Sequence, residues 1–142
     1  MKVLVINGPN MNLLGKREPA IYGSETLQDL EKYITREAET LNIEVEFFQS
    51  NHEGEIIDRI HEAMEEKKDG IILNAGAFTH YSYAIRDAIK GTGIKTIEVH
   101  MSNIYTREDF RATSVIAPVC TGQITGFGFN SYIAALHLLK RG

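Results

Sequence analysis

The 142 residues, 43% apolar and 24% charged, fit one domain with a core of ordinary size and exclude a disordered chain. A net charge of -4 excludes the basic stripe of a nucleic-acid surface, and the acidic residues fall mainly within predicted helices as solvated faces. A lone cysteine, Cys120, excludes an internal disulfide, and no run approaches the ~18 apolar residues of a spanning helix.

Val3 to Ile6 reads as a buried strand, too short and too soon broken by Asn7-Gly8-Pro9 for a signal peptide, so the expected location is cytoplasmic, with no membrane contact. The strand does not hand over to a helix. It runs into NGPNMNLLGKREPAIYG, and loops of that length in compact domains are lids, binding segments or disorder. Leu27, Leu30, Ile34, Ala38 and Leu41 then recur at helical spacing, with Ser24 as N-cap and Glu25 in the first turn. Ile43, Val45 and Phe47 alternate as a strand does. Ile56, Ile57, Ile60, Ala63 and Met64 form a second helical stripe, and Gly70 to Leu73 a short buried strand ending at Asn74. Ala84, Ile85, Ala88 and Ile89 mark a third helix, Ile94 to Val99 a fourth strand, and Val115 to Val119 a fifth. The last helix covers Ser131 to Lys140, with Ile133, Ala134, Leu136 and Leu138 apolar; a short helix is expected near Arg107 to Arg111.

Strands alternating with helices of this length predict a parallel sheet covered on both faces. Five strands in this pattern predict an α/β, flavodoxin-like, doubly wound fold of order 2-1-3-4-5. Residues 1–142 contain no repeat, low-complexity run or linker, so a single domain is expected.

Ligands of such sheets bind beyond the carboxyl ends of the strands, near the switch point between strands one and three. Polar residues gather there: Asn7 and Asn10 after strand one, Asn74-Ala75-Gly76 with Thr79 and His80 after strand three, Glu98-Val99-His100 with Met101, Ser102 and Asn103 after strand four. Singly, each has an ordinary explanation. Strand-end asparagines are turn residues, and His80 fits the first turn of the third helix. Their convergence on one cleft is the signal. His52, His61 and His137 fall on loop or helix surfaces.

Other readings fail on the residues present. His61-Glu62-Ala63-Met64-Glu65 lacks the second histidine of a zinc helix, and no close histidine pair supports a metal. Gly126-Phe127-Gly128 has Ser131 at the third glycine position and no P-loop lysine, which favours close backbone packing over a phosphate cradle. The first loop has no hydroxyl-rich run for a flavin phosphate, asparagines stand where a receiver domain has acidic residues, and Cys120 has no neighbouring base. No cofactor or metal is expected. What is left suits proton transfer on a polyhydroxylated small molecule. Asparagine and histidine bond hydroxyls, and arginine can lower a phenol's pKa from about 10.

The motifs NGPNMNLLGKREPAIYG, ILNAGAFTHYSYAIRDAI, IEVHMSNIYTREDFR and TGQITGFGFNSY, in this order and spacing, closely resemble the type II 3-dehydroquinate dehydratases, across essentially the whole chain. The resemblance implies conversion of 3-dehydroquinate to 3-dehydroshikimate, a shikimate-pathway step toward chorismate and the aromatic amino acids. The reaction would be an anti elimination through an enolate, without metal or cofactor. It implies Tyr22 as the base at C2, Arg17 on a lid of about residues 16–24, Asn10 as holder of a water at the enolate oxygen, His100 as general acid and Glu98 as its orienter. It implies substrate contacts at Asn74, Gly76, His80, Met101, Ser102 and Arg111, and Asp87 reaching the site of a neighbouring subunit in a homododecamer of four trimers. Met11 stands where the family usually has leucine, and Tyr105 and Thr113 stand where many members carry histidine. The rival readings are a non-catalytic domain that holds a polyol or sugar acid, and a purely structural subunit. Neither gives Arg17 and Tyr22 a purpose.

Overall fold

In the computed structural model, residues 1–16 and 19–142 are described, with backbone alone at Ile21 and Tyr22. Strands β1 (Lys2–Asn7), β2 (Glu44–Gln49), β3 (Gly70–Asn74), β4 (Thr96–His100) and β5 (Gly122–Thr125) form one sheet of order β2-β1-β3-β4-β5. Every pairing is parallel, so each strand returns through a crossover.

Alternation along β1 divides the core in two. Val3 and Val5 face α2 (Leu27–Thr40) and α5 (Asn130–Arg141), through Leu30, Ile34, Tyr132 and Leu136. Leu4 and Ile6 face α3 (Glu53–Glu65) and α4 (Tyr83–Thr92), through Ile56, Ile60, Ile85 and Ile89. Both faces of the sheet are covered. That is why β1 and β3 carry continuous apolar runs, Val3 to Ile6 and Ile71 to Leu73, instead of alternating with polar residues.

The structure corrects several boundaries. The fifth strand is not Val115 to Val119, which ends in a short 3-10 helix, Ala117–Val119. Pro118 has no N–H to give a ladder, so pairing starts only at Gly122, and Cys120 precedes the strand instead of following it. The fourth strand begins at Thr96, not Ile94. The N-cap of α2 is Thr26, not Ser24. Its hydroxyl accepts from Asp29 N at 3.2 Å and the Asp29 carboxylate accepts from Thr26 N at 2.9 Å, a reciprocal box that Ser24 and Glu25 do not form. Met64, Ala84 and Leu138 lie on the solvent sides of their helices; the buried stripe of α5 is Tyr132, Ala135, Leu136 and Leu139. The first loop, expected to be non-helical, holds a 3-10 turn at Met11–Leu13 and a four-residue helix, α1 (Pro19–Tyr22), whose first position suits proline.

After β1 the chain crosses to β2 on one side and then to β3 on the other, which opens a crevice between the ends of β1 and β3. Gly8 makes the crevice narrow. A Cβ there would lie 2.9 Å from the Ala75 carbonyl carbon and oxygen, while Gly8 N donates to Asn74 O at 2.7 Å. Only glycine admits that approach.

Candidate active site at the sheet's carboxyl edge

The strand ends meet in one cleft, partly open to solvent. Asn10 and Met11 come from the loop after β1, and Asn74, Gly76 and His80 from the end of β3 and the 3-10 turn Gly76–His80 that follows it. His100, Met101 and Ser102 come from the end of β4, and Arg107 and Arg111 from the irregular segment before β5. His80 therefore ends a 3-10 turn and does not open α4, as the sequence reading allowed.

Asn10 sits in the left-handed region at φ 71°, where asparagine is tolerated better than most residues. Its backbone N–H donates to Asn51 Oδ1 at 2.9 Å, and that oxygen also accepts from Gln49 Nε2 at 3.2 Å. Gln49 Nε2 reaches Gly8 O at 3.2 Å as well, so the end of β2 braces the turn that carries Asn10.

His100 is buried and its Nε2 lies 2.6 Å from Oε2 of Glu98, which is wholly enclosed. The same oxygen accepts from Gln123 Nε2 at 2.6 Å, and Oε1 accepts from Ser114 Oγ at 2.7 Å. Burial pushes the Glu98 carboxyl up, but the bonds from His100, Gln123 and Ser114 outweigh it, so the group is held below its ordinary value and stays a carboxylate. A carboxylate can only accept, which places a proton on Nε2 and leaves Nδ1 of His100 for the cleft. The β5–α5 turn fixes the backbone of the same residue, with Gly126 N and Ser131 Oγ donating to His100 O at 3.1 and 3.2 Å. Gly128 N also donates to Met101 O at 2.9 Å. The Gly126-Phe127-Gly128 stretch thus packs its backbone against the end of β4.

His80 Nδ1 bonds Thr113 O at 2.8 Å, and a carbonyl only accepts, so the proton is on Nδ1. Burial lowers its pKa, with the nearby His100 and Arg111 acting in the same direction against the Thr113 carbonyl. The contact uses the backbone of residue 113, so it does not depend on the side chain that stands there. Phe110 stands between His80, edge-on at 5.6 Å between centroids, and Arg111, whose guanidinium lies 4.7 Å over the ring. Arg111 Nε also donates to Glu108 Oε1 at 2.8 Å. Tyr105 puts its hydroxyl 3.4 Å from Gln123 Oε1.

Asp87 is exposed on α4 and lines no part of the cleft described here. Arg17 and the side chain of Tyr22 lie outside the described residues. Among the described residues no group of His, Cys, Asp or Glu could hold a metal ion, and no helix is long and apolar enough to cross a membrane. Arg107, Gln123, Ser114, Asn51 and Tyr132 were not singled out from the sequence. Arg107 carried a signal, lying four residues from Arg111 in one loop, and it donates to Ser102 Oγ at 3.4 Å. Gln123 and Tyr132 lie within the motif TGQITGFGFNSY, but no local pattern marks them, Ser114 or Asn51 as neighbours of the cleft residues, because only the folded chain brings them together.

Fold and cleft together define a flavodoxin-like α/β protein whose switch point holds a carboxylate-backed histidine among asparagines and arginines. The chain belongs to the class II dehydroquinase family, whose model, described as "Dehydroquinase class II", matches residues 1–140. It is 68% identical over 139 residues to a 3-dehydroquinate dehydratase of Caldicellulosiruptor bescii, covering 98% of this chain and 96% of that one. It is 59% identical over 136 residues to the 3-dehydroquinate dehydratase of Bacillus pumilus, covering 96% and 92%. A crystal structure of the type II dehydroquinase of Butyrivibrio crossotus superposes with a TM-score of 0.96 at 56% identity, covering 98% of this chain and 97% of that one.

Proposed function

We propose that this chain dehydrates 3-dehydroquinate to 3-dehydroshikimate, as a type II 3-dehydroquinate dehydratase of the shikimate pathway. The observation that carries the reading is the buried Glu98–His100 pair, opening on a cleft walled by Asn10, Asn74 and Arg111 in a chain of this family. Tyr22, as tyrosinate, removes the C2 proton and the electrons move onto the ketone oxygen. A water held with the help of Asn10 bonds the enolate. The enolate re-forms its carbonyl as the C1 hydroxyl leaves, protonated from His100 Nδ1, and one water is released. Glu98 supplies the counter-charge for the imidazolium. Arg111 has the fixed charge and fork geometry that suit the substrate carboxylate, with Asn74, Gly76, His80, Met101 and Ser102 around the hydroxyls.

Residues 1–142 act as one catalytic domain with a lid at about residues 16–24. Closing the lid excludes water and strengthens the charges inside. The protein works without metal or cofactor, in the cytoplasm, as a dodecamer of four trimers in which Asp87 reaches a neighbour's site. The test is to follow the enone absorbance of the product. An unperturbed phenol near pKa 10 is about one part in a thousand ionised at pH 7, so Arg17 and Arg111 must recover roughly 4 kcal/mol. Tyr22→Phe keeps the ring and is expected to bind substrate while turnover falls by orders of magnitude. Turnover near the wild-type rate with an unchanged pH profile would pass the base role to His80 or His100.

A further inference from the structure

Tyr132 lies on α5 with 0% of its surface exposed, and its ring packs with the aliphatic core of that face. A phenylalanine would fill the same space without bringing a hydroxyl into it, and an unpaired buried hydroxyl costs about 1–3 kcal/mol. This one is paired twice. It donates to Asn7 Oδ1 at 2.6 Å and accepts from Asn74 Nδ2 at 2.9 Å. Asn7 and Asn74 are register partners on β1 and β3, so the hydroxyl bridges the two central strands at the switch point.

The direction of this chain of bonds is set by a backbone group. Gly76 N–H can only donate, and it faces the Asn74 carboxamide at 3.2 Å, which puts the amide oxygen on that side. Nδ2 then faces Tyr132, whose oxygen accepts from it and directs its own proton to Asn7. Burial holds the phenol well above its ordinary pKa, so that proton stays in place. The second N–H of Asn74 has Met11 Sδ at 3.7 Å. A carboxamide offers two N–H groups and two oxygen lone pairs. The group left over on Asn74 is one lone pair of Oδ1, in a residue that lines the cleft.

We propose that Tyr132 is a positioning residue for the dehydration, holding the Asn74 carboxamide so that its free oxygen lone pair accepts from a substrate hydroxyl. The assignment rests on the reading of the cleft given above and extends it to a residue that does not line the cleft. Without the hydroxyl, one N–H of Nδ2 loses its partner against an apolar wall, the weak contact of the other with Met11 Sδ remains, and the carboxamide swings toward the cleft, where its acceptor is no longer aimed.

A double-mutant cycle on the full-length protein tests this. Tyr132→Phe is expected to lower kcat/KM for 3-dehydroquinate about tenfold, the scale of one lost hydrogen bond. In an Asn74→Ala background the same change is expected to cost less than twofold. Urea midpoints record the structural cost separately, and all four proteins are assayed far below them. A merely structural tyrosine would lower the midpoint and leave kcat/KM unmoved. No loss of kcat/KM, or a tenfold loss undiminished in Asn74→Ala, overturns the assignment. An inactive wild type would sink the functional reading and the assignment with it, whereas an active wild type with additive losses sinks the Tyr132 role alone. If Tyr132→Phe does not fold, Asn7→Ala removes the acceptor of the same hydroxyl and enters the cycle with the same outcomes.

Discussion

Glu98→Gln removes one charge while the local hydrogen-bond geometry can be kept. The new side-chain oxygen, placed where Oε2 stands, still accepts from His100 and Gln123, both at 2.6 Å in the native protein. The new amide nitrogen, placed where Oε1 stands, meets Ser114 Oγ, which accepts from Ala117 N at 3.0 Å and has a second lone pair for it. Stability then falls only by the difference between charged and neutral acceptors, roughly 1 kcal/mol for each of two bonds, or about 2 kcal/mol. Catalysis falls much further, because an imidazolium at His100 has lost its counter-charge. General acid–base assistance is worth about 10²–10⁴-fold, and a loss of about a hundredfold in kcat is expected.

The stability difference carries a pH signature. Burial raises the Glu98 carboxyl, the bonds from His100, Gln123 and Ser114 lower it further, and its folded pKa lies below the ordinary 4.5. A depressed carboxylate contributes stability that is complete above its unfolded value and lost as pH falls through the folded one. The gap in urea midpoint between wild type and Glu98→Gln is therefore expected to close as pH falls below about 4.5. The enone assay reads kcat and urea unfolding reads stability. A variant destabilised as expected yet within threefold of wild-type kcat would refute a role for the carboxylate in the chemistry.

Three further outcomes follow from the geometry. Asn51→Ala takes away the oxygen that bonds Asn10 N and Gln49 Nε2, and is expected to cost about 1 kcal/mol in urea unfolding and several-fold in kcat, through a loosened left-handed turn at Asn10; unchanged kinetics would remove the brace from the mechanism. Burial, with the charge of Glu98 adding to it, pushes the Cys120 thiol up to about 12, so iodoacetamide at pH 8 is expected to label it only after urea is added, and rapid labelling of the native protein would contradict that burial. Sedimentation is expected to find a large assembly built on trimers, and fully active monomers would rule out a shared site involving Asp87.

The order of the elements was legible from hydrophobic period alone, because helix and strand stripes are local: Leu30 and Ile34 need only each other's spacing to declare a face. The sheet order followed from strand–helix alternation, and the cleft from the rule that ligands meet parallel strands at their carboxyl ends. The asparagines and histidines at those ends are legible from the sequence, since they sit next in sequence to the strands that aim them. Boundaries were misread where a local group competes with the pattern: Pro118 inside an apolar run, and Thr26 with Asp29 forming a better cap than Ser24. What the tertiary structure alone decided is the second layer of contacts. Gln123 stands 25 residues from Glu98 and Tyr132 stands 58 from Asn74, and hydrogen bonds over such separations leave no periodic trace. Whether a buried hydroxyl is paired, which way a carboxamide points and which oxygen of a carboxylate is free are properties of the packed chain, because each depends on donors that reach the site only when the sheet has closed.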